Sequence, residues 1–207
     1  MSLVLILAVL IASPTAETIA SRLASFRMPD TCDYRMTTTV EGPGLSVVAQ
    51  AHVIQAGAER TWTEVESGGR RLRVVREGDA VRVTDMASGR TSESPAGTGV
   101  GGPVGMDGLG SVAWLSPRSL GGGRWELSEK GGTGRRLVWS EDKAELEVLS
   151  MVGESGDTLH TEFGWTTVVG RKVPSTMVLR AGALTTRIEF TAWSFPRTIP
   201  ASLFSAR

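Results

Sequence analysis

Apolar and polar residues alternate along most of this chain. Tyr34, Met36, Thr38 and Val40 share one side of a strand, and Leu45, Val47, Ala49, Ala51 and Val53 share one side of the next. Gly42-Pro43-Gly44 lies between them as a turn. Trp62 falls in a third strand, roughly residues 59–66. Gly68-Gly69 then leads into Leu72-Arg73-Val74-Val75, and Glu77-Gly78-Asp79 into Val81-Arg82-Val83-Thr84. A period of two with short Gly-containing turns predicts antiparallel hairpins. The alternation resumes around Trp125-Glu126-Leu127, Leu137-Val138-Trp139 and Leu146-Glu147-Val148. Leu159, Thr161, Phe163 and Trp165 share one side of a later strand. So do Val173, Met177, Leu179 and Ala181, and then Leu184, Ile188, Phe190 and Ala192. The pattern predicts about ten or eleven strands in one continuous meander.

Two stretches depart from alternation. Residues 17–27 carry Ile19, Leu23 and Phe26 at helical spacing, which predicts a short amphipathic helix ended by Pro29. Residues 92–111 are rich in Gly, Ser and Pro and read as a mobile loop. The run Met106–Leu115 that overlaps its end reads as a short apolar helix or turn. The loop contains Gly97-Thr98-Gly99-Val100-Gly101-Gly102, formally a G-x-G-x-x-G. That motif cradles a dinucleotide only between a parallel strand and a helix, and nothing around it alternates strand with helix.

An unbroken apolar run, residues 3–12, precedes all of this. It is shorter than the roughly 20 residues of a membrane-spanning helix. It fits the core of a secretory signal peptide over residues 1–16, with cleavage as late as Ala20. An uncleaved anchor and a buried strand are the competing readings. Residues 17–207 then form one domain, long enough for a substantial core. Cys32 is the only cysteine, so no intramolecular disulfide forms, and it lies well past the apolar run, where it does not suit lipid attachment. It reads as a half-buried small residue.

Charge and composition narrow the chemistry. Lys and Arg number 22 and Asp and Glu 22, a balance that argues against nucleic acid as partner. No nucleophile elbow or P-loop is present. His52 and His160 each stand alone, opposite the apolar side of their strands, without the clustering of a metal site. Glu64/Glu66 and Glu145/Glu147 each project from one face of a strand, which does not flank a scissile bond as a glycosidase requires. Arg70, Arg71, Arg73 and Arg76, with Glu64, Glu66, Glu77 and Asp79 near them, read as a solvated cross-strand charge lattice. The expectation is no enzymatic activity, no cofactor and no metal.

A long meander with one apolar face must cover it by closing, by curling around helices or by holding a ligand. Six tryptophans, Trp62, Trp114, Trp125, Trp139, Trp165 and Trp193, are spread over a chain with few helices. They serve as core or as the lining of an apolar cavity.

At this point the layout resembles the outer-membrane lipoprotein carriers, LolA and LolB, and the broader set of lipoprotein-sorting-like proteins. The parts most like that family are Glu77-Gly78-Asp79-Ala80-Val81-Arg82-Val83, Val169-Gly170-Arg171-Lys172-Val173-Pro174 and the tail Ile199-Pro200-Ala201-Ser202-Leu203-Phe204. The resemblance covers nearly all of the chain after the apolar run. It implies an unclosed antiparallel β half-barrel wrapped over short helices, in the mainly β (α+β) class. It also implies a periplasmic protein, monomeric and not itself lipid-anchored. Its concave interior would hold acyl chains of lipoproteins or other lipids, with loading and receiving proteins in the inner and outer membranes as partners.

Within Gly57-Ala58-Glu59-Arg60-Thr61-Trp62, the resemblance makes Arg60 the counterpart of an arginine that helps latch a lid, although the Arg-Pro step usual in the carriers is missing. Residues expected to line the cavity or lid are Arg60, Trp62, Leu109, Trp114, Leu115, Phe163, Trp165, Met177 and Leu179. The rival expectation is an envelope sensor, regulatory or structural protein with the same fold and no transport role.

Overall fold

A computed structural model of the chain describes residues 18–19, 30–57, 59–95, 116–128, 134–152 and 156–205. Among these residues the strands are β1 (Thr31–Gly42), β2 (Leu45–Ala56), β3 (Arg60–Ser67), β4 (Arg70–Glu77), β5 (Ala80–Asp85) and β6 (Thr91–Pro95), followed by β7 (Ser116–Gly121), β8 (Arg124–Ser128) and β9 (Arg136–Ser140). The last four are β10 (Glu145–Val152), β11 (Thr158–Val168), β12 (Arg171–Ala181) and β13 (Leu184–Ser194). All thirteen join one open antiparallel sheet in the order β6-β5-β4-β3-β2-β1-β13-β12-β11-β10-β9-β8-β7. The first and last strands pair in the middle, so the two free edges are β6 and β7. The fold is an unclosed antiparallel half-barrel.

Thirteen strands exceed the ten or eleven that alternation predicts. The two edges, Thr91–Pro95 and Ser116–Gly121, carry almost no apolar residues and include Pro95 and Pro117. Proline and polar residues suit edge strands, where no partner needs the amide and no second face is buried. Residues 92–95 therefore belong to a strand rather than to the expected loop. Of the expected helix at 17–27, Thr18 and Ile19 are described, and both are helical.

Directly paired residues lie on one face of an antiparallel sheet. Tyr34, Val53, Thr63, Val74 and Val83 form such a row across β1 to β5. Met36, Phe190, Ile188, Met177, Phe163, Leu149 and Leu137 lie on the same side of the strands that follow. We call this the inner face. Asp33, Ile54, Trp62 and Val75 line up on the outer face.

The inner face carries two core clusters. One joins Leu127, Leu137, Trp139, Leu146 and Leu149 beneath Ile19. The other joins Cys32, Tyr34, Val53, Val173, Met177, Phe190 and Trp193. Phe163 packs against both. Cys32 is fully buried rather than half-buried. A third cluster lies on the outer face, where Phe204, after the 3-10 turn Ala201–Leu203, covers Ala56, Trp62 and Val75.

One irregularity reshapes the inner face. Asp33 and Arg35 of β1 face Ser194 and Thr191 of β13, so β13 carries one extra residue there. Ala192 takes a φ of 54°, the left-handed conformation common in such bulges. Plain alternation puts Ala192 beside Phe190 on the apolar side. The bulge instead leaves Ala192 exposed and turns Trp193 inward, where it is buried.

Candidate functional site

The inner face differs from one end of the strands to the other. At the end where the β2–β3 and β11–β12 turns lie, an aromatic belt crosses the sheet. Trp125 pairs with Trp139 across β8 and β9, and Trp139 with Leu146 across β9 and β10. Trp165 on β11 donates its indole N–H to the carbonyl of Leu146 at 2.8 Å. Trp193 on β13 donates to the carbonyl of Pro174 at 3.1 Å. Tyr34 on β1 then stacks on Trp193, with ring centroids 4.3 Å apart. The belt satisfies most of its polar handles within the protein, as large buried aromatics require. Tyr34 Oη, Trp139 Nε1 and Thr161 Oγ1 are buried without a partner.

Toward the opposite end, burial falls along β2 and β13. On β2 the inner face runs from Val53, 3% exposed, through Ala51, 8%, to Val47 and Leu45, 40% and 42%. On β13 it runs from Phe190, 6% exposed, to Leu184, 44%. Met36, Leu179 and Ile188 occupy the half-buried middle. The β1–β2 and β12–β13 turns meet here, with Leu184 lying across Gly42. Of the seven large apolar residues that are exposed among those described, Leu45, Val47, Val48 and Leu184 sit at these two tips. An aliphatic tract that leads from the core into solvent is the kind of patch that marks a binding surface.

A half-open space of about 210 Å³ opens at the same end, lined by Val65, Ser67, Arg70 and Leu72. Arg70 is held at its rim by Asp85, Nη2 to Oδ2 at 3.1 Å. Backbone amides of Ala87 and Ser88 also donate to the Asp85 carboxylate. The Ser88 amide, then Arg70 and the Ala87 amide hold that carboxyl below the ordinary aspartate range.

Beyond the cluster under Phe204, the outer face of the same strands is mostly polar. Glu64 accepts from Arg71 at 2.5 Å and from Arg73 at 2.9 Å, which realises part of the expected charge lattice, whereas Arg70 turns to Asp85 on the inner face and Arg76 to the Gly78 carbonyl. Burial raises the Glu64 carboxyl, but the two arginines outweigh it and the net shift is downward. His52 bonds Asp33 at 2.8 Å, and His160 lies between Ser150 and Glu162. A larger depression of about 430 Å³ is walled mainly by Arg35, Gln50, His52, Glu64, Glu66 and Arg71. Its paired charges do not suit an apolar ligand. Among the described residues no group of three His, Cys, Asp or Glu could hold a metal ion.

Four of the residues expected from sequence come together on the inner face. Met177 is buried, Leu179 packs beside it, and Phe163 and Trp165 stack with centroids 6.0 Å apart. Arg60 and Trp62 lie elsewhere. Trp62 is buried on the outer face, and the Arg60 guanidinium sits over the Phe204 ring, 5.5 Å from its centroid. Leu109, Trp114 and Leu115 fall outside the described residues. Sequence reasoning missed Tyr34 and Trp193 as partners, and also Leu45, Val47, Leu184 and Arg70 at the open end. The alternation of Leu45 and Val47 up to a turn was the available signal.

Solved structures carry the same architecture. A LolA superfamily protein from Nitrosomonas europaea superposes with a TM-score of 0.64 over 94% of this chain and 99% of that one, at 13% identity. The two chains share one fold. A putative outer membrane lipoprotein-sorting protein domain from Vibrio parahaemolyticus gives a TM-score of 0.60 at 10% identity, over 92% and 97% of the two chains. A DUF1329 family protein from Desulfovibrio piger gives 0.59 at 11% identity, over 92% and 95%. No family model and no curated protein matches the sequence of this chain.

Proposed function

We propose that this protein is an exported, periplasmic lipid-binding carrier that shelters acyl chains against its inner face and performs no chemistry on them. The observation that carries the reading is the run of apolar residues on the inner face, from the buried Met177 and Phe190 through the half-buried Met36, Leu179 and Ile188 to the exposed Leu45, Val47 and Leu184, broken by Thr38 and Thr186. Leaving an acyl chain in water costs about 0.8 kcal/mol per methylene, so even partial shelter offers several kcal/mol. The likeness to a putative lipoprotein-sorting domain and the apolar run at residues 3–12 support the same reading. As a monomeric carrier it would take its load from one membrane partner and pass it to another.

One observation favours a second reading, a sensor or structural protein of the same fold. Over β8–β10 the inner face is already filled by its own side chains beneath Ile19. Ligand binding is therefore assigned to the half built from β1–β4 and β11–β13. Solvent extraction of the protein, recovered from a bacterial periplasm without detergent, tests the choice. A carrier yields stoichiometric acylated lipid or lipopeptide. A protein that yields none, and takes up none afterwards, is the sensor or structural form.

A further inference from the structure

We propose that the inner face accepts its amphiphile in one orientation, the polar head at the β1–β2, β3–β4 and β12–β13 turns and the methyl end toward the aromatic belt. This rests on the acyl-binding reading and adds a direction to it. Three observations, each at a known height along the strands, define that direction.

First, the belt end is closed. Tyr34 and Trp193 stack and are buried, and the Trp165 and Trp193 indoles are tied to backbone carbonyls. A charged head brought into the stack would lose its water among aromatic rings, and the nearest guanidinium at this end, Arg171, already lies over the Phe195 ring, 4.8 Å from its centroid. Second, the turn end is open and aliphatic, so a chain can slide in along Leu45, Val47 and Leu184 without unpacking the core. From Val40 at this end to Met36, at the margin of the buried cluster, the strand rises about 13 Å, room for part of one extended acyl chain.

Third, a cavity on this face lies at the turn end and is chemically two-sided. Val65 and Leu72 supply aliphatic walls, and Ser67 and Arg70 supply polar ones. The Arg70 side chain is 75% exposed and contacts Asp85 through a single nitrogen. The rest of its guanidinium faces water, free to pair with a carboxylate or phosphate at the head of the ligand. A head placed at Arg70 leaves the chain no apolar route except inward.

Nitroxide-labelled stearic acids test the direction. In the W62F/W114F variant the remaining tryptophans, Trp125, Trp139, Trp165 and Trp193, all lie on the belt; the unsubstituted chain is run in parallel. A nitroxide near the methyl end should quench tryptophan emission more strongly, at equal occupancy, than one near the carboxylate. Equal or reversed quenching overturns the orientation while leaving acyl binding intact. If neither acid binds, the acyl reading itself fails and the orientation with it. Arg70→Gln should weaken stearate binding roughly two- to fivefold and leave its methyl ester unaffected. An equal loss for acid and ester overturns the assignment of the head to Arg70.

Discussion

Trp193 stacks on Tyr34 with ring centroids 4.3 Å apart, and it does so because the bulge at Ala192 turns it inward. Strands β1 and β13 meet at this contact in the middle of the sheet, so it joins the two ends of the meander. Trp193→Ala removes the stack and the hydrogen bond to Pro174 and should cost about 3–5 kcal/mol. Trp193→Phe keeps the ring and loses the N–H, and should cost less than half as much. Urea denaturation followed by far-UV circular dichroism separates the two.

The C-terminal tail is a structural strap. Phe204 is 1% exposed and packs with Trp62 and Val75 under the Arg60 guanidinium. Phe204→Ala should cost about 3 kcal/mol, and Arg60→Ala only about 0.5–1 kcal/mol. Neither should change acyl binding, because both groups lie on the outer face. Thermal denaturation beside a fatty-acid titration checks both parts.

Acid should weaken the fold through paired glutamates. Glu126 is buried, which by itself raises its carboxyl, but Arg136 at 2.5 Å and Arg118 at 2.7 Å outweigh that and bring it below the ordinary range. A carboxyl lowered in the folded state stabilises above its unfolded pKa of about 4.3, and that contribution disappears as pH falls through the folded value. Glu126→Gln should therefore lower stability at neutral pH by about 1–2 kcal/mol and flatten the loss between pH ~5 and ~3. Unfolding midpoints of both proteins across that range give the answer.

Cys32 should be inert in the folded protein. It is fully buried, and burial first, then the neighbouring Asp33 charge, push its thiol up to about 12. Since the thiolate is the reactive form, labelling with a thiol reagent at neutral pH should proceed at the rate of unfolding. Prompt labelling in native buffer would show that this end of the inner face opens.

The sequence made the half-buried strands legible because each shows one face to the core and one to water. Tyr34 to Val40 and Leu45 to Val53 keep that alternation without interruption. The edges were not legible, since Thr91–Glu93 and Ser116–Gly121 are exposed on both faces and leave no periodic trace. The bulge was also silent, because Ala192 and Trp193 exchange sides through one backbone angle rather than through composition. Trp62 was ambiguous for a different reason. It lies between Thr61 and Thr63, and only the distant Phe204 decides which face it buries. Phe163, Met177 and Leu179 were readable together because β11 and β12 pair without a shift from Leu159 to Gly164, and Trp165 keeps the β11 alternation because the extra residue at the following shift, Ser175, is on β12.

The central claim is that the open aliphatic end of the inner face takes an acyl chain. Native mass spectrometry of the detergent-free protein, incubated with a triacylated peptide, tests it most directly. The account predicts a one-to-one complex that Val47→Asp combined with Leu184→Asp abolishes, with the circular dichroism spectrum unchanged. An apo mass that persists through the incubation would contradict it, as would a complex that survives both substitutions.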